Sequence, residues 1–203
     1  VYLGVDNMVY IFIEDNTDPS KKLLAHINKV KGPQPHIPII KQIGFFNISD
    51  RMYGQVRYTV FQSALYRVPL KKNEDPENFA IMEILEQRVE KAYKALSYSE
   101  KRGCESGRKV RTIFLRDIDD NFADIENKLE KAKDMNVIKA VDEFESIMIA
   151  IELIFKFAND YGERLYPEFP SENLGTDANG QLILLDILYD KAVIMAKKYG
   201  IEC

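Results

Sequence analysis

Cysteine and histidine are nearly absent, two of each in 203 residues. Cys104 sits in a polar stretch and Cys203 is the last residue, so no disulfide framework is on offer. Histidines at 26 and 36 only leave a structural zinc site short of ligands. A reducing, cytoplasmic setting fits this usage. Tryptophan is missing too, which decides nothing. No long apolar run exists: the best, SIMIAIELIFKFA from Ser146 to Ala158, is too short and too interrupted to span a bilayer. A basic excess is lacking as well. Lys and Arg total 28 against 32 Asp and Glu, a formal charge of −4, which argues against sequence-independent nucleic-acid binding. The opening VYLGVDNMVYIF lacks the basic region of a signal peptide, and a first residue of Val fits a fragment or a processed form.

What is present is a core. The chain is 46% hydrophobic and 30% charged, the profile of a globular domain of ordinary size or two small lobes. VYLGV and MVYIFIE, separated by Asp6-Asn7, predict a β-hairpin. DPSKKLLAHINKV predicts a helix, with Leu23, Leu24, Ile27 and Val30 in phase and Asp18 or Ser20 as cap. The prolines of KGPQPHIP end it. IIKQIGFF and QVRYTVFQ predict two more strands, with NISDRMYG as the loop between them.

The rest reads as helical. DPENFAIMEILEQRVEKAYKALSY is an amphipathic helix opened by Asp75-Pro76. YSEKRGCESGRKVR, from Tyr98 to Arg111, reads as a polar, basic loop. DIDDNFADIENKLEKAKDM is a charged helix, and VIKAVDEFESIMIAIELIFKFANDYG is the most apolar one, with Gly162 as its C-cap. ILYDKAVIMAKKYG predicts a short final helix. The expected class is therefore α+β, with a β-rich part over 1–70 carrying one helix and a mainly helical part over 71–203.

EFPSENLGTDANGQLILLD interrupts the helices late, between Glu168 and Asp186. Asn179-Gly180 is a strong two-residue hairpin signal, because both positions tolerate positive φ. Such a hairpin brings Asn173 and Asp186 to the end opposite the turn, a geometry suited to two oxygen ligands on one Mg²⁺. Glu168 lies on the loop leading in.

These residues resemble the protein-kinase-like fold, whose catalytic loop reads D-x-x-x-x-N and whose second metal-binding Asp follows on the far strand of a small hairpin. Here Glu168-x-x-x-x-Asn173 precedes Asp186 in LLDI. The upstream order is similar: MVYIFIE stands as the third strand, SKKLLAHINKV as helix C, and HIPIIKQIGFF with RYTVFQSALYRVPL as the fourth and fifth strands and hinge. The nearest variety is the small early protein kinases of lytic coliphages. The resemblance implies a two-lobed fold, with a small antiparallel sheet lobe and a helical lobe carrying the late hairpin. It implies Glu168 as the catalytic carboxylate, Asn173 and Asp186 as metal ligands, and Mg and ATP as cofactors.

The catalytic motifs are degraded. The third strand has no Lys near Ile11, helix C has no Glu, and the catalytic Asp is Glu168. No glycine-rich loop accompanies Gly4, and Ile187-Leu188 replaces Phe-Gly. A pseudokinase-type protein is therefore expected, one that binds a host or phage protein in the host cytoplasm, with no membrane or nucleic acid involved. An active Ser/Thr kinase using Mg-ATP is the alternative, and it requires a replacement cation from Lys21, Lys22 or Arg51. A helical adaptor or inhibitor with coincidental kinase likeness is the third reading.

Blander roles compete throughout. Asn173 can brace its loop and Asp186 can cap the next turn. His36, between prolines, reads as a satisfied polar residue at a strand entrance. Lys101, Arg102, Arg108, Lys109 and Arg111 suit an acidic partner or a solvated loop. Phe45, Phe46, Tyr53, Tyr58, Phe61 and Tyr66 suit core packing, with an exposed subset available for protein binding.

Overall fold

The computed structural model describes residues 2–4, 8–14, 19–50, 54–102, 105–131, 137–161 and 164–190. Arg51, Tyr53, Cys104, Gly162 and Cys203 lie outside them, as do Asp18 and residues 191–203. The architecture is α+β. A four-stranded antiparallel sheet of order β1-β2-β4-β3 is built from β1 (Tyr2–Leu3), β2 (Val9–Glu14), β3 (Ile40–Asp50) and β4 (Gly54–Ser63). The helix α1 (Pro19–Lys31) connects β2 to β3 and buries Leu23, Leu24 and Ile27 with the core-facing Phe61 of β4. Val30, in phase by sequence, is exposed.

After a connection over 64–75 come α2 (Pro76–Ala95), α3 (Tyr98–Arg102), α4 (Ser106–Asp120), α5 (Phe122–Lys131) and α6 (Val137–Tyr161). On α6, Phe144, Ile147, Ile151, Ile154 and Ala158 recur at helical spacing and are buried, which makes this helix the spine of the core. No described helix is long and apolar enough to cross a membrane. Four short strands follow. β5 (Leu165–Pro167) pairs with β8 (Leu188–Asp190), and β6 (Leu174–Thr176) pairs with β7 (Leu182–Leu184).

Several local expectations are corrected. Within the stretch expected as a loop, Tyr98–Arg102 form α3 and residues 106–111 begin α4. The missed signal is Ser97-x-x-Glu100, a capping box: the Ser97 amide donates to Glu100 at 2.9 Å and the Glu100 amide to the Ser97 hydroxyl at 3.3 Å. The Ser97 hydroxyl, donating to the Glu100 carboxylate at 2.7 Å, then the Ser97 amide and Lys109, hold that carboxyl down to about 2. Arg111 is buried in α4 and donates to the Leu165 carbonyl and, at 2.7 Å, to Asn159. The charged helix is also broken, at Asn121 between α4 and α5. Asn47 to Asp50 extend β3 instead of looping. Leu188–Asp190 form a strand where a helix was expected, because β5 supplies an edge to pair with.

Arg88 is the polar tie among the helices. It donates to Asp117 at 3.0 Å and to Asp124 at 2.9 Å, linking α2 to α4 and α5. Burial pushes the Asp117 carboxyl up, but Lys91 and Arg88 outweigh it and leave the group below its usual range.

Gly175 marks the tightest backbone approach. A Cβ there would stand 2.8 Å from the Arg67 carbonyl oxygen and 2.8 Å from Val68 Cγ1. Arg67 and Thr176 exchange amide–carbonyl bonds of 2.9 and 3.0 Å at this point. Gly175→Ala is expected to separate the two chains and cost about 1–3 kcal/mol by overpacking. Urea unfolding of the variant measures it; an unchanged midpoint would refute the close approach.

Candidate functional site

The late hairpin is fixed from its backbone outward. The Asn173 carbonyl accepts from both the Leu185 and Asp186 amides, at 3.0 and 3.1 Å. The Glu168 amide donates to Ile187 at 2.9 Å. Phe169, fully buried, stacks on Phe114 with ring centroids 5.8 Å apart, and so seats the loop beside Glu168 on α4. A turn of 3₁₀ helix, Ser171–Asn173, then delivers Asn173 to the start of β6.

The turn itself differs from expectation. Asn179-Gly180 does not close a two-residue hairpin. Asp177 to Gln181 form the loop, and the Asp177 Oδ1 accepts from the Asn179 and Gln181 amides at 2.8 and 2.9 Å. Gly180 takes the positive φ of 80°, while Asn179 has none. An Asx turn thus carries the reversal, with glycine needed only at the exit.

All three residues singled out by sequence meet at the end of the hairpin away from this turn. Asn173 Nδ2 donates to Glu168 Oε1 at 2.9 Å. Asp186 follows β7 and its Oδ2 lies 3.0 Å from Lys21 Nζ. Lys21 also donates to the Leu185 carbonyl at 3.0 Å. It sits in the first turn of α1, three residues before Leu24, so it projects from the face that packs inward. Its side chain is only 14% exposed, against 33% for Asp186. Of the cations considered, Lys21 reaches the site. Lys22, one position on, lies on another face and lines a groove with β3.

The surroundings of Glu168 are negative. Burial raises its carboxyl above the usual range, and the charges of Asp186 and Glu172 add to that, against the hydrogen bond from Asn173. Next to it lies a groove of about 640 Å³ between α2 and residues 167–170, lined by Glu83, Glu86 and Glu90. Burial, then Glu172 and Glu83, pushes Glu86 up as well. Tyr189 across the groove is pushed up to about 12 by burial, with Glu168 contributing.

The donor set is compatible with Mg²⁺ in kind. That ion takes one or two carboxylates and completes its shell with phosphates and water, and Asn173 and Asp186 offer an amide and a carboxylate. Among the described residues no group of three His, Cys, Asp or Glu side chains gathers to hold a metal. Both offered residues are also engaged, Asn173 with Glu168 and Asp186 with Lys21.

His36, by contrast, has a structural role. It is fully buried at φ 61°, with Nδ1 2.8 Å from the Leu182 carbonyl and Nε2 2.9 Å from the Ser146 hydroxyl. These bonds pin the α1–β3 connection to β7 and α6.

A test of the site's electrostatics follows from Glu168. Its raised folded pKa means that ionisation costs the fold stability: the contribution is favourable below the unfolded carboxylate pKa and is lost as pH rises through the folded one. Glu168→Gln keeps an oxygen for Asn173 and removes the charge. At pH 7 it is expected to stabilise the protein by under about 1 kcal/mol, since solvent screens a half-exposed group. The gain should vanish near pH 3. Thermal melts at both values decide it, and a destabilised variant at pH 7 would show the charge to be compensated.

Comparison with family models, curated proteins and solved structures finds no match for this chain.

Proposed function

We propose that the chain is a two-lobed, protein-kinase-like domain of the pseudokinase type, which acts by binding a host or phage protein. The sheet with α1 forms its small lobe over 1–70. The helices with the late hairpin form the other over 71–203. The order of elements supports this reading: strand, helix and two strands precede the connection, and the loop of Glu168 and Asn173 precedes the strand leading to Asp186.

One observation carries the loss of chemistry. The polar side chains at the end of the hairpin satisfy one another, Asn173 with Glu168 and Asp186 with Lys21. A phosphoryl-transfer site needs its cations and ligands aimed at an incoming nucleotide. Here the ammonium of Lys21 is spent on the carboxylate that would hold the metal. Glu168 also extends the catalytic carboxylate by one methylene, and a misplacement of about 1 Å can cost a hundredfold in rate.

The same pair favours a second reading, an active kinase. Lys21 brings to the cleft the cation that β2 lacks, from helix α1 instead of a strand. In that case Asn173 and Asp186 would hold magnesium, which would neutralise charge on a bound nucleotide.

Incubation with Mg-ATP and generic protein substrates separates the two. The expected result is no phosphotransfer above background and a melting shift under about 1 °C. Robust phosphorylation that Asp186→Ala and Lys21→Met both abolish would overturn the pseudokinase reading in favour of the active one.

A further inference from the structure

β3 is an edge strand of eleven residues, and among the described residues no strand pairs with its outer side. Alternate amides and carbonyls along it therefore face away from β4. Edges of this length are normally covered or blunted, because they template pairing with another chain. Apolar side chains stand open along it: Ile39 just before the strand, and Ile43 and Phe45 within it, are 51, 46 and 59% exposed. A register shift between Gln42 and Gly44 bulges the strand at Ile43, which bends it locally.

A groove of about 900 Å³ runs between this edge and α1. Its helix wall is the stripe Lys22, Ala25, His26 and Lys29, at the i, i+3, i+4, i+7 spacing of one helix face. Lys41 lines it from β3, and among the described residues no Asp or Glu does. Arg57 adds a cation next door, its guanidinium 4.0 Å above the Phe45 ring. In a chain of net charge −4, this is a local concentration of positive charge on an apolar floor.

We infer that the α1–β3 groove docks an extended, acidic segment of another protein, which adds as a strand to the free edge of β3. Main-chain hydrogen bonds to the edge supply affinity, and pockets for alternate side chains supply specificity, as in other cases of strand addition. Carboxylates on the segment meet Lys29 and Lys41, and apolar side chains cover Ile43 and Phe45. A second copy of this chain is the poorer occupant. β3 itself carries one lysine, Lys41, and one carboxylate, Asp50, so a second copy of it brings no net negative charge to the groove.

The inference deepens the partner-binding reading by giving the surface. It is tested at Lys29 and Lys41, neither of which pairs with Asp186, so the ATP assay and the following one fail separately. The probe is a fluorescent nonapeptide alternating glutamate with valine, titrated by anisotropy at low salt and followed by amide hydrogen exchange. Saturable binding is expected, with new protection confined to β3. The charge-reversed pair Lys29→Glu and Lys41→Glu should weaken it at least tenfold. The same peptide N-methylated at alternate residues, which keeps its charge and loses one edge of donors, should also weaken at least tenfold. A lysine–valine peptide should not bind. Absence of saturation with the glutamate peptide, equal binding of the lysine or N-methylated peptides, or self-association that protects β3 without peptide would each overturn the proposal. The N-methylated probe acts on unaltered protein, so a folding defect in the lysine variant cannot decide the outcome.

Discussion

The β6–β7 hairpin has only three residues per strand, all buried, and a buried two-stranded hairpin has two edges whose backbone groups must find partners. Both edges are filled by connections between the sheet and the helices. On the β6 side, Arg67 exchanges both of its backbone hydrogen bonds with Thr176. On the β7 side, the Leu184 amide donates to the His36 carbonyl, and the His36 ring meets the Leu182 carbonyl. An unpaired backbone group there would cost about 1–3 kcal/mol. The hairpin is thus held by the two segments that enter and leave β3–β4. Gly175 is the concession the arrangement demands, since only a residue without Cβ lets Arg67 approach.

That clamp also places the site. With β7 tied to the α1–β3 connection, Asp186 just beyond it comes within reach of the first turn of α1. Lys21 answers the Asp186 charge from the side of the sheet. Among the described residues Glu168 has no such cation: its neighbour is the Asn173 amide, and α2 presents three more carboxylates beyond it. The cluster is therefore polarised. Its sheet side is neutralised by a partly buried lysine, while on its helix side burial, with the neighbouring carboxylates adding to it, raises Glu168 and Glu86. A salt bridge with both members partly exposed contributes on the order of 1 kcal/mol, so the pair matters more for where Asp186 points than for how tightly the chain folds.

The elements with a strong period were legible: α1, α2, α6 and the sheet strands follow the apolar spacing of the sequence. So was the meeting of Glu168, Asn173 and Asp186, because a hairpin forces its two ends together whatever its turn. The turn chemistry was misjudged. Asn179-Gly180 is the familiar signal, yet Asp177 accepts the amides and only Gly180 needs positive φ. The 98–111 stretch was misread because Gly103, Ser106 and Gly107 look like loop residues. The Ser97–Glu100 box and the Val110, Phe114, Ile118 spacing outvote them. The choice of Lys21 over Lys22 required the helix phase relative to the hairpin, a tertiary fact that no local pattern encodes. The clamp by His36 and Arg67 pairs residues more than a hundred positions apart and has no local signature at all.

α1 joins the Asp186 cluster to the β3 groove. One face carries Lys21 to Asp186, and the face that follows Lys22 forms the wall of the β3 groove. Both faces belong to one helix, in which Lys21 and Lys22 are adjacent. Were groove binding to weaken the Lys21–Asp186 pair, binding at Asp186 would change the groove's affinity by the same factor. Coupling of this kind needs no further residues, only a helix too stiff to bend within two turns. The Glu168–Asn173–Asp186 cluster and the exposed strand edge are then joined through a single helix.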